Sequence, residues 1–396
     1  MSPDRAPAPR FPLLCFGFVV CGIVTVLPGP LLPVMAARWG LRDVQSGGFF
    51  AAEFAASTVG AIFSPHRLRR NLPTGYALMT TGVLLLTVAS QTAQPTLGHS
   101  LALTAFALIG LGIGLSVTAT NLYVGRAAEE RRRGDRARGL SIVNLWWGIG
   151  AVACPWLIAA TEDGGWLRAF LVLVALSAAL MFFGLAPQLR FAETPSLIPA
   201  RTSLRQDAGL LAFFAAFLFL YVGVENTVSG WITTYAHRFS GLTVEDAGLL
   251  VSLFWVALLT GRALGSALLR RLPERAVLLP SLVLALAAVA ALLEPHRTGV
   301  VLMAVALAGA GFGPVFPLGV ARLLARVSDH RNTGWVFAMC ASGGAVLPWL
   351  TGLVSTRTGS LRLGFAVAVG AMAAILILAL LETTILRRQS ELPERA

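Results

Sequence analysis

Three ionisable residues lie inside otherwise apolar stretches of the sequence, namely Glu53, Glu225 and Arg262. A charged side chain at the centre of a bilayer costs about 2.5–3.5 kcal/mol even on insertion scales, so it marks a functional site by default. A carboxylate can accept hydrogen bonds from a bound molecule or take up a proton, whereas a guanidinium stays charged and needs an acceptor. These residues are therefore the first candidates for a binding or coupling site.

Glu53 is the candidate for carrying a proton. Removing a carboxylate from water favours its neutral form, so proton uptake inside the membrane and release on contact with water would form a coupling step. The alternative is a structural acid bonded to a backbone carbonyl of a neighbouring helix. Arg262 is interpreted as a brace between the eighth and fifth of the predicted membrane helices described below, with Asn144 as one candidate partner, and as part of a gate.

The elements that must position these residues are membrane spans. The chain has 396 residues, of which 56% are hydrophobic and 13% charged, which excludes an ordinary soluble protein. Apolar runs of about 17 to 25 residues, enough to cross a bilayer as a helix, begin near Phe11, Val44, Thr74, Ser100, Leu140, Trp166, Gly209, Glu245, Ala276, Gly299, Gly334 and Leu361. The sequence therefore predicts an all-α integral membrane protein with twelve transmembrane helices.

The positive charges indicate the topology. The net charge is +12, yet the predicted loops on the side away from the termini contain only Arg38, Arg42, Arg168, Arg238, Arg297, Arg357 and Arg362. By the positive-inside rule, both termini are predicted to be cytoplasmic, in an inner or plasma membrane. The arginines suit the anionic heads of the lipid bilayer, and no nucleic-acid partner is expected. The four cysteines fall inside predicted spans, so neither a disulfide framework nor a metal site is expected.

The two halves of the chain repeat at an offset of 201 residues. Glycines of the first half recur in the second as the pairs Gly22 and Gly223, Gly47 and Gly248, Gly60 and Gly261, Gly110 and Gly311, and Gly112 and Gly313. We predict two pseudo-symmetric six-helix halves, residues 1–188 and 209–396, joined by a cytoplasmic linker at 189–208. In such a parallel-repeat architecture, a substrate binds between the halves near mid-membrane.

Five stretches carry a more specific pattern. They are Asn144–Gly150, Tyr221–Tyr235, Thr260–Arg262, Gly313–Leu318 and Gly343–Trp349. They resemble the major facilitator superfamily and, within it, the fucose-permease-like branch of sugar symporters. The resemblance implies alternating-access transport of a small molecule, a monosaccharide or sugar-like polyol, by a monomer. Coupling to H⁺ is favoured over Na⁺, and no cofactor is expected.

The resemblance also implies roles for individual residues. The seventh helix lines the central cavity in this superfamily, so Glu225 is predicted to accept hydrogen bonds from sugar hydroxyls and to take part in proton coupling, assisted by Tyr221, Asn226 and Ser229. A pyranose also presents an apolar face that stacks on aromatic rings. The candidates are Trp146, Trp147, Trp255 and Phe316, with Asn121 and Asn144 as polar partners. A structural hydrogen bond for Glu225, and helix packing for each ring, are the alternatives.

The sequence departs from the family pattern at two places. Ser64 stands where the loop between helices 2 and 3 usually has an aspartate, and the first helix lacks the acid of the proton-linked fucose permeases, whereas the fourth helix offers Asn121. The family's gate charges and coupling mechanism therefore do not carry over directly. Glycine and proline at Pro28–Pro30, Gly110–Gly114 and Gly311–Pro314 predict soft points in helices 1, 4 and 10, with tight packing as the alternative.

Two other functions stay open. An exporter of amphipathic drugs or lipids would use the same apolar and aromatic lining, and a non-transporting membrane sensor would share the architecture without moving a substrate. An enzyme is not expected, because the acids, histidines and serines form no recognisable catalytic constellation. The sequence also has no lysine for Schiff-base chemistry.

Overall fold

The computed structural model describes residues 11–129, 135–162, 167–186, 208–294, 297–326 and 333–390. Throughout these ranges the regular structure is helical, and twelve helices or helix pairs are long and apolar enough to cross a membrane. The predicted all-α membrane architecture is confirmed. The predicted linker lies outside the described residues except for Ala208, as does Trp166 at the predicted start of the sixth span.

The described residues of the first half form seven α-helices. They are α1 (Phe11–Val26), α2 (Pro28–Trp39), α3 (Asp43–Phe63), α4 (Leu68–Gln91), α5 (Pro95–Glu129), α6 (Asp135–Glu162) and α7 (Leu167–Leu185), with a 3₁₀ turn (Ser64–Arg67) between α3 and α4. The second half contains α8 (Ala208–Phe239), α9 (Val244–Leu268), α10 (Glu274–Ala291), α11 (Thr298–Phe312), α12 (Val315–Arg326), α13 (Thr333–Thr358) and α14 (Leu361–Ser390). The pairs α1–α2 and α11–α12 each form one span.

Helix pairs across the boundary join the two halves. Helix α3 packs against α13, α6 against α9, and α2 against α8 and, less extensively, α9. Within the first half, α4 and α3 pack on α5, and α1 packs on α6; within the second, α8 packs on α13 and α14, and α9 on α11. Helices α6, α8 and α9 therefore border the boundary between the halves.

Two of the three predicted soft points are breaks in the helix. The first span is interrupted at Leu27, before Pro28, and the tenth at Gly313 and Pro314, as expected where proline supplies no backbone N–H. Helix α5 runs unbroken for 35 residues. Its glycines allow close packing instead, since a Cβ atom on Gly114 would lie 2.0 Å from the Ser57 carbonyl oxygen of α3. In α5 the alternative of tight packing therefore applies.

The repeat of 201 residues holds for Gly60 of α3 and Gly261 of α9. A Cβ atom on Gly60 would lie 2.4 Å from the Leu111 carbonyl oxygen of α5, and one on Gly261 would lie 2.1 Å from the Ala310 carbonyl oxygen of α11. The two glycines thus perform the same task, the close approach of two helices, in the two halves.

The predicted offset of 201 residues is wrong for the glycines of α5 and α11. Gly110 approaches the backbone of Glu53, yet the backbone of Phe254, which follows Glu53 by 201 residues, is approached by Gly309 rather than Gly311. The structurally equivalent pairs on these helices are therefore two residues out of the predicted register. The sequence match of Gly110 with Gly311 is a coincidence of two glycine-rich helices.

The loop between α3 and α4 is held by neutral hydrogen bonds. Ser64, at the position of the missing aspartate, is fully buried, and its hydroxyl donates to the Leu115 carbonyl of α5 at 2.7 Å. The amide of Asn71 donates to the carbonyls of Phe63 and Ser64, each at 3.0 Å. Hydrogen bonds to carbonyls thus fix this loop to α5 and to α4 where the family pattern has an acid.

The halves are closed at one end of the bundle. We call it the distal end, where α2 and α8 end and α3 begins. There the guanidinium of Arg238 on α8 donates to both carboxylate oxygens of Asp43 on α3, at 2.7 and 2.8 Å. Ser355 on α13 donates to the same carboxylate at 2.5 Å. At the opposite end, Phe63 of α3 and Trp335 of α13 are 60% and 66% exposed.

Candidate functional site

Glu225 is buried in the middle of α8. It is 8% exposed, and its Oε2 atom is enclosed without a hydrogen-bond partner among the described residues. The backbone carbonyl of Glu225 accepts the hydroxyl of Ser229 at 2.9 Å. Because a buried polar atom without a partner is costly, the Oε2 atom is placed to accept a hydrogen bond from a further donor.

Tyr221 and Arg262 surround this carboxylate. Arg262 of α9 and the hydroxyl of Tyr221 are close enough to interact electrostatically with Glu225. Glu225 and Arg262 form no salt bridge within 4.0 Å. The Tyr221 hydroxyl donates to the Phe312 carbonyl at 3.0 Å, and the tyrosine is fully buried. Its predicted assistance to a sugar would require that this bond be given up.

A chain of aromatic rings runs from the first half into the second. Successive ring centroids are 5.2, 5.5, 5.8, 5.9 and 5.8 Å apart along the series Trp147, Trp255, Phe254, Phe312, Tyr221 and Phe316. Trp147 lies on α6 and Trp255 on α9, so the first contact crosses the boundary between the halves. The indole Nε1 of Trp255 is buried and has no acceptor among the described residues. The structure thus brings together four of the predicted site residues.

Other predicted residues lie apart from this group or bond locally. The amide of Asn226 donates to Val222 and that of Asn144 to Leu140, each at 2.8 Å within its own helix. Asn144 is exposed and makes no bond to Arg262, so a brace through this pair is not formed. Trp146 is 40% exposed. The amide oxygen of Asn121 on α5 is buried and has no partner among the described residues.

Glu53 occupies the interior of the first half. It is 1% exposed, and both carboxylate oxygens lack a hydrogen-bond partner within the described part of the chain. The backbone of Glu53 packs directly on Gly110 of α5, and its side chain is close enough to Cys154 of α6 to interact electrostatically. The bond to a backbone carbonyl, which was the alternative to a coupling role, is not made.

Arg262 borders a pocket in the second half. The pocket has a volume of about 420 Å³ and lies between α9, α10 and the α11–α12 junction, with Leu269, Pro314 and Leu318 among its mainly apolar lining. Arg262 therefore lies toward the end of the bundle opposite the distal end. A gating role for Arg262 stays a prediction.

Two charged clusters were missed by sequence reasoning. One is the distal cluster of Asp43, Arg238 and Ser355. The other ties α12 to α14 and α10, where Glu382 accepts from Arg322 and Arg326, and Arg322 also donates to Glu274. Glu382 follows an apolar run, which was a usable signal. Asp43 and Arg238 stand at helix ends, where a charge is ordinary.

Comparisons with known proteins agree with this architecture. The sequence model of the Major Facilitator Superfamily matches residues 14–333. A glucose/galactose transporter of Brucella abortus is 24% identical over 365 residues, which is 86% of both chains. A TsgA homolog of Erwinia tasmaniensis is 24% identical over 276 residues, 66% of both chains.

Solved transporters share the fold. The E. coli fucose:proton symporter FucP gives a TM-score of 0.60 at 19% identity, covering 93% of this chain and 97% of the symporter. FucP in the outward conformation gives 0.60 at 20% identity, with the same coverage. A D-xylose–proton symporter gives 0.73 at 14% identity, covering 94% of this chain and 96% of that one. With twelve spans, a repeated half and a family model that matches most of its length, the chain belongs to the Major Facilitator Superfamily.

Proposed function

We propose that this protein is a secondary transporter that moves a sugar or sugar-like polyol by alternating access. The observation that carries the proposal is the partnerless Glu225 carboxylate oxygen beside a chain of rings that crosses the boundary between the halves. A sugar hydroxyl would supply the missing donor to Glu225 and an acceptor for the Trp255 indole, while the apolar face of the pyranose would pack on the rings.

The relatives support this substrate class. The Brucella protein is a glucose/galactose transporter, and both solved neighbours with named sugars are proton symporters. At these levels of sequence identity the likeness establishes the fold alone, so the substrate class is inferred from the residues of the candidate site. An exporter of amphipathic compounds is the rival, since aromatic rings also suit lipophilic ligands.

Proton coupling is assigned to Glu53. Burying an ionised carboxylate without a partner costs several kcal/mol or more, and binding a proton removes that cost. Sodium is less favoured, because hard cations take several oxygen ligands, whereas both Glu53 oxygens lack a polar partner among the described residues. Glu53 and Glu225 lie in different halves, so proton and substrate would bind to different rigid units.

We further propose that the distal end faces the outside and the chain termini face the cytoplasm. The structure then corresponds to an inward-facing state, with the distal cluster closing the outer entrance.

The test is counterflow of a labelled monosaccharide panel in proteoliposomes, because exchange needs binding and alternation but no ion gradient. We expect saturable exchange of one or a few sugars. Glu225→Gln should weaken apparent affinity about tenfold or more, since the hydrogen bond to a charged acceptor contributes about 1.5–3 kcal/mol. Glu53→Gln should retain exchange but lose uptake driven by a proton gradient.

The matched control is Glu245→Gln, at the first turn of α9 and outside the site. It should leave both exchange and uptake unchanged. Absence of exchange for every sugar, together with saturable binding of lipophilic cations, would replace the proposal by amphipathic export. Absence of counterflow with either class of compound would instead favour a sensor.

A further inference from the structure

The break between α11 and α12 lies directly against the candidate site. Helix α11 ends at Phe312 and α12 begins at Val315. Because Pro314 and Pro317 have no N–H, the carbonyls four residues before them lose their usual helical partners. The junction is packed tightly on α9, since a Cβ atom on Gly313 would lie 2.4 Å from the backbone nitrogen of Arg262. Movement of this junction would therefore shift the residues around Glu225.

Tyr221 connects the junction to Glu225. Its ring packs edge-on against Phe312 and is tilted against Phe316, and its hydroxyl donates to the Phe312 carbonyl at 3.0 Å. Glu225 follows Tyr221 by one helical turn, and the two side chains interact electrostatically. The tyrosine is fully buried, so water cannot satisfy either partner in its place.

A tyrosine hydroxyl has one proton to donate. We propose that Tyr221 is a positioning residue whose hydroxyl is shared between two competing acceptors, the Phe312 carbonyl at the α11–α12 junction and the Glu225 carboxylate. When Glu225 is engaged by a ligand or is neutral, the hydroxyl bonds to Phe312 and holds the junction as in this structure. When the carboxylate is free and charged, it draws the hydroxyl away and releases the junction.

This inference rests on the proposed role of Glu225 and adds a route from the site to the broken helix. The route is short and contiguous, and the shared hydroxyl would give it the two discrete arrangements that coupling between sites requires. It also gives Tyr221 a role different from the substrate contact predicted from the sequence.

The test is a double-mutant cycle read at the junction without sugar. A cysteine is placed at Ala321, an exposed residue of α12 that lines the pocket below the junction. Its labelling rate with a water-soluble maleimide is measured in the purified full-length chain, against the chain without this substitution. The four native cysteines are buried and give the background.

Glu225→Gln removes the charge that competes for the hydroxyl and should change the labelling rate. In the Tyr221→Phe background the same substitution should have no effect on the labelling rate. The difference between the two backgrounds should be about fivefold or more, which lies in the range measured for contacting residues. Glu225→Asp keeps the charge but withdraws it by one methylene group. It should show part of the same effect, again only when Tyr221 is present.

Tyr235→Phe is the matched control, because Tyr235 is an equally buried tyrosine of α8 whose hydroxyl donates to the Leu292 carbonyl at 2.6 Å. In the double variant, the effects of Glu225→Gln and Tyr235→Phe on the labelling rate should be multiplicative. Multiplicative effects with Tyr221→Phe would overturn the proposal, and so would equal coupling with both tyrosines, which would indicate general loosening. The cycle uses no sugar, so failure of sugar counterflow would refute the proposed substrate without deciding this result.

Discussion

Loss of the Asp43 charge should open the distal end. In this structure Asp43 accepts two bonds from Arg238 and one from Ser355, and all three link the first half to the second. The carboxylate side chain is 10% exposed and the arginine side chain 37%. A hydrogen bond to a charged group contributes about 1.5–3 kcal/mol, whereas exposed ion pairs contribute about 0.2–1 kcal/mol.

With one partner enclosed and the other partly in water, Asp43→Asn should destabilise the closed state by about 1–2 kcal/mol. That energy corresponds to about a 5- to 30-fold rise in the ratio of open to closed molecules. The assay is pulsed electron paramagnetic resonance between spin labels at Gln94→Cys and Thr358→Cys, two exposed distal positions in opposite halves. A longer distance should gain population in the variant.

Two comparisons make the result decisive. Glu245→Gln, which changes a distal carboxylate without a cross-half bond, should leave the distance distribution as it is. Exchanging the charges, with Asp43→Arg and Arg238→Asp together, should restore part of the closed population. An unchanged distribution in Asp43→Asn, or the same shift in the Glu245 control, would refute the idea that this cluster closes the distal end.

Two further predictions concern stability. Glu382→Gln leaves two arginines of α12 without their buried counter-charge, so it should cost about 3–5 kcal/mol and lower the melting temperature in detergent. Glu274→Gln, whose side chain is 52% exposed, should lower it far less, and equal losses would contradict the cluster's assigned role. Gly110→Ala should also lower the melting temperature, because the new Cβ atom would lie 1.9 Å from a carbonyl oxygen of α3. Gly248→Ala serves as the control, because the new Cβ atom would meet nothing within 4 Å apart from its own chain neighbours and helix backbone. An unchanged melting temperature for Gly110→Ala would show that α3 and α5 can move apart without loss of stability.

The fold was readable from the sequence because a bilayer permits few solutions. Spans must be long, apolar and helical, so hydropathy alone finds them. The exact register of the repeat was not readable, since glycines at Gly110 and Gly311 match in sequence while the structure pairs Gly110 with Gly309. Only the packing of α5 on α3 and of α11 on α9 decides which glycine is equivalent.

Part of the candidate site could also be predicted from the sequence, because the membrane restricts where charged residues occur. Glu53 and Glu225 are conspicuous because a charge is rare inside an apolar run. The partner of Asp43 lies 195 residues away, and neither residue is unusual at a helix end. Similarly, nothing in the sequence around Tyr221 indicates that its hydroxyl is bonded to Phe312, 91 residues on. Such pairs depend on how the helices are arranged rather than on any local pattern.

The hydrogen bonds of α8 indicate with which half of the protein it moves. Three of its fully buried aromatic residues donate to backbone carbonyls of α11, of α13 and of the turn after α10, all in the second half. The bonds are Tyr221 to Phe312, Trp231 to Pro348 and Tyr235 to Leu292, at 3.0, 2.9 and 2.6 Å. These bonds fix α8 within its own half. Its bond to the first half is the partly exposed Arg238–Asp43 pair at its end. Because buried hydrogen bonds are costlier to break than partly exposed ion pairs, relative movement of the halves should separate Asp43 from Arg238 while α8 moves with the second half, carrying Glu225 with it.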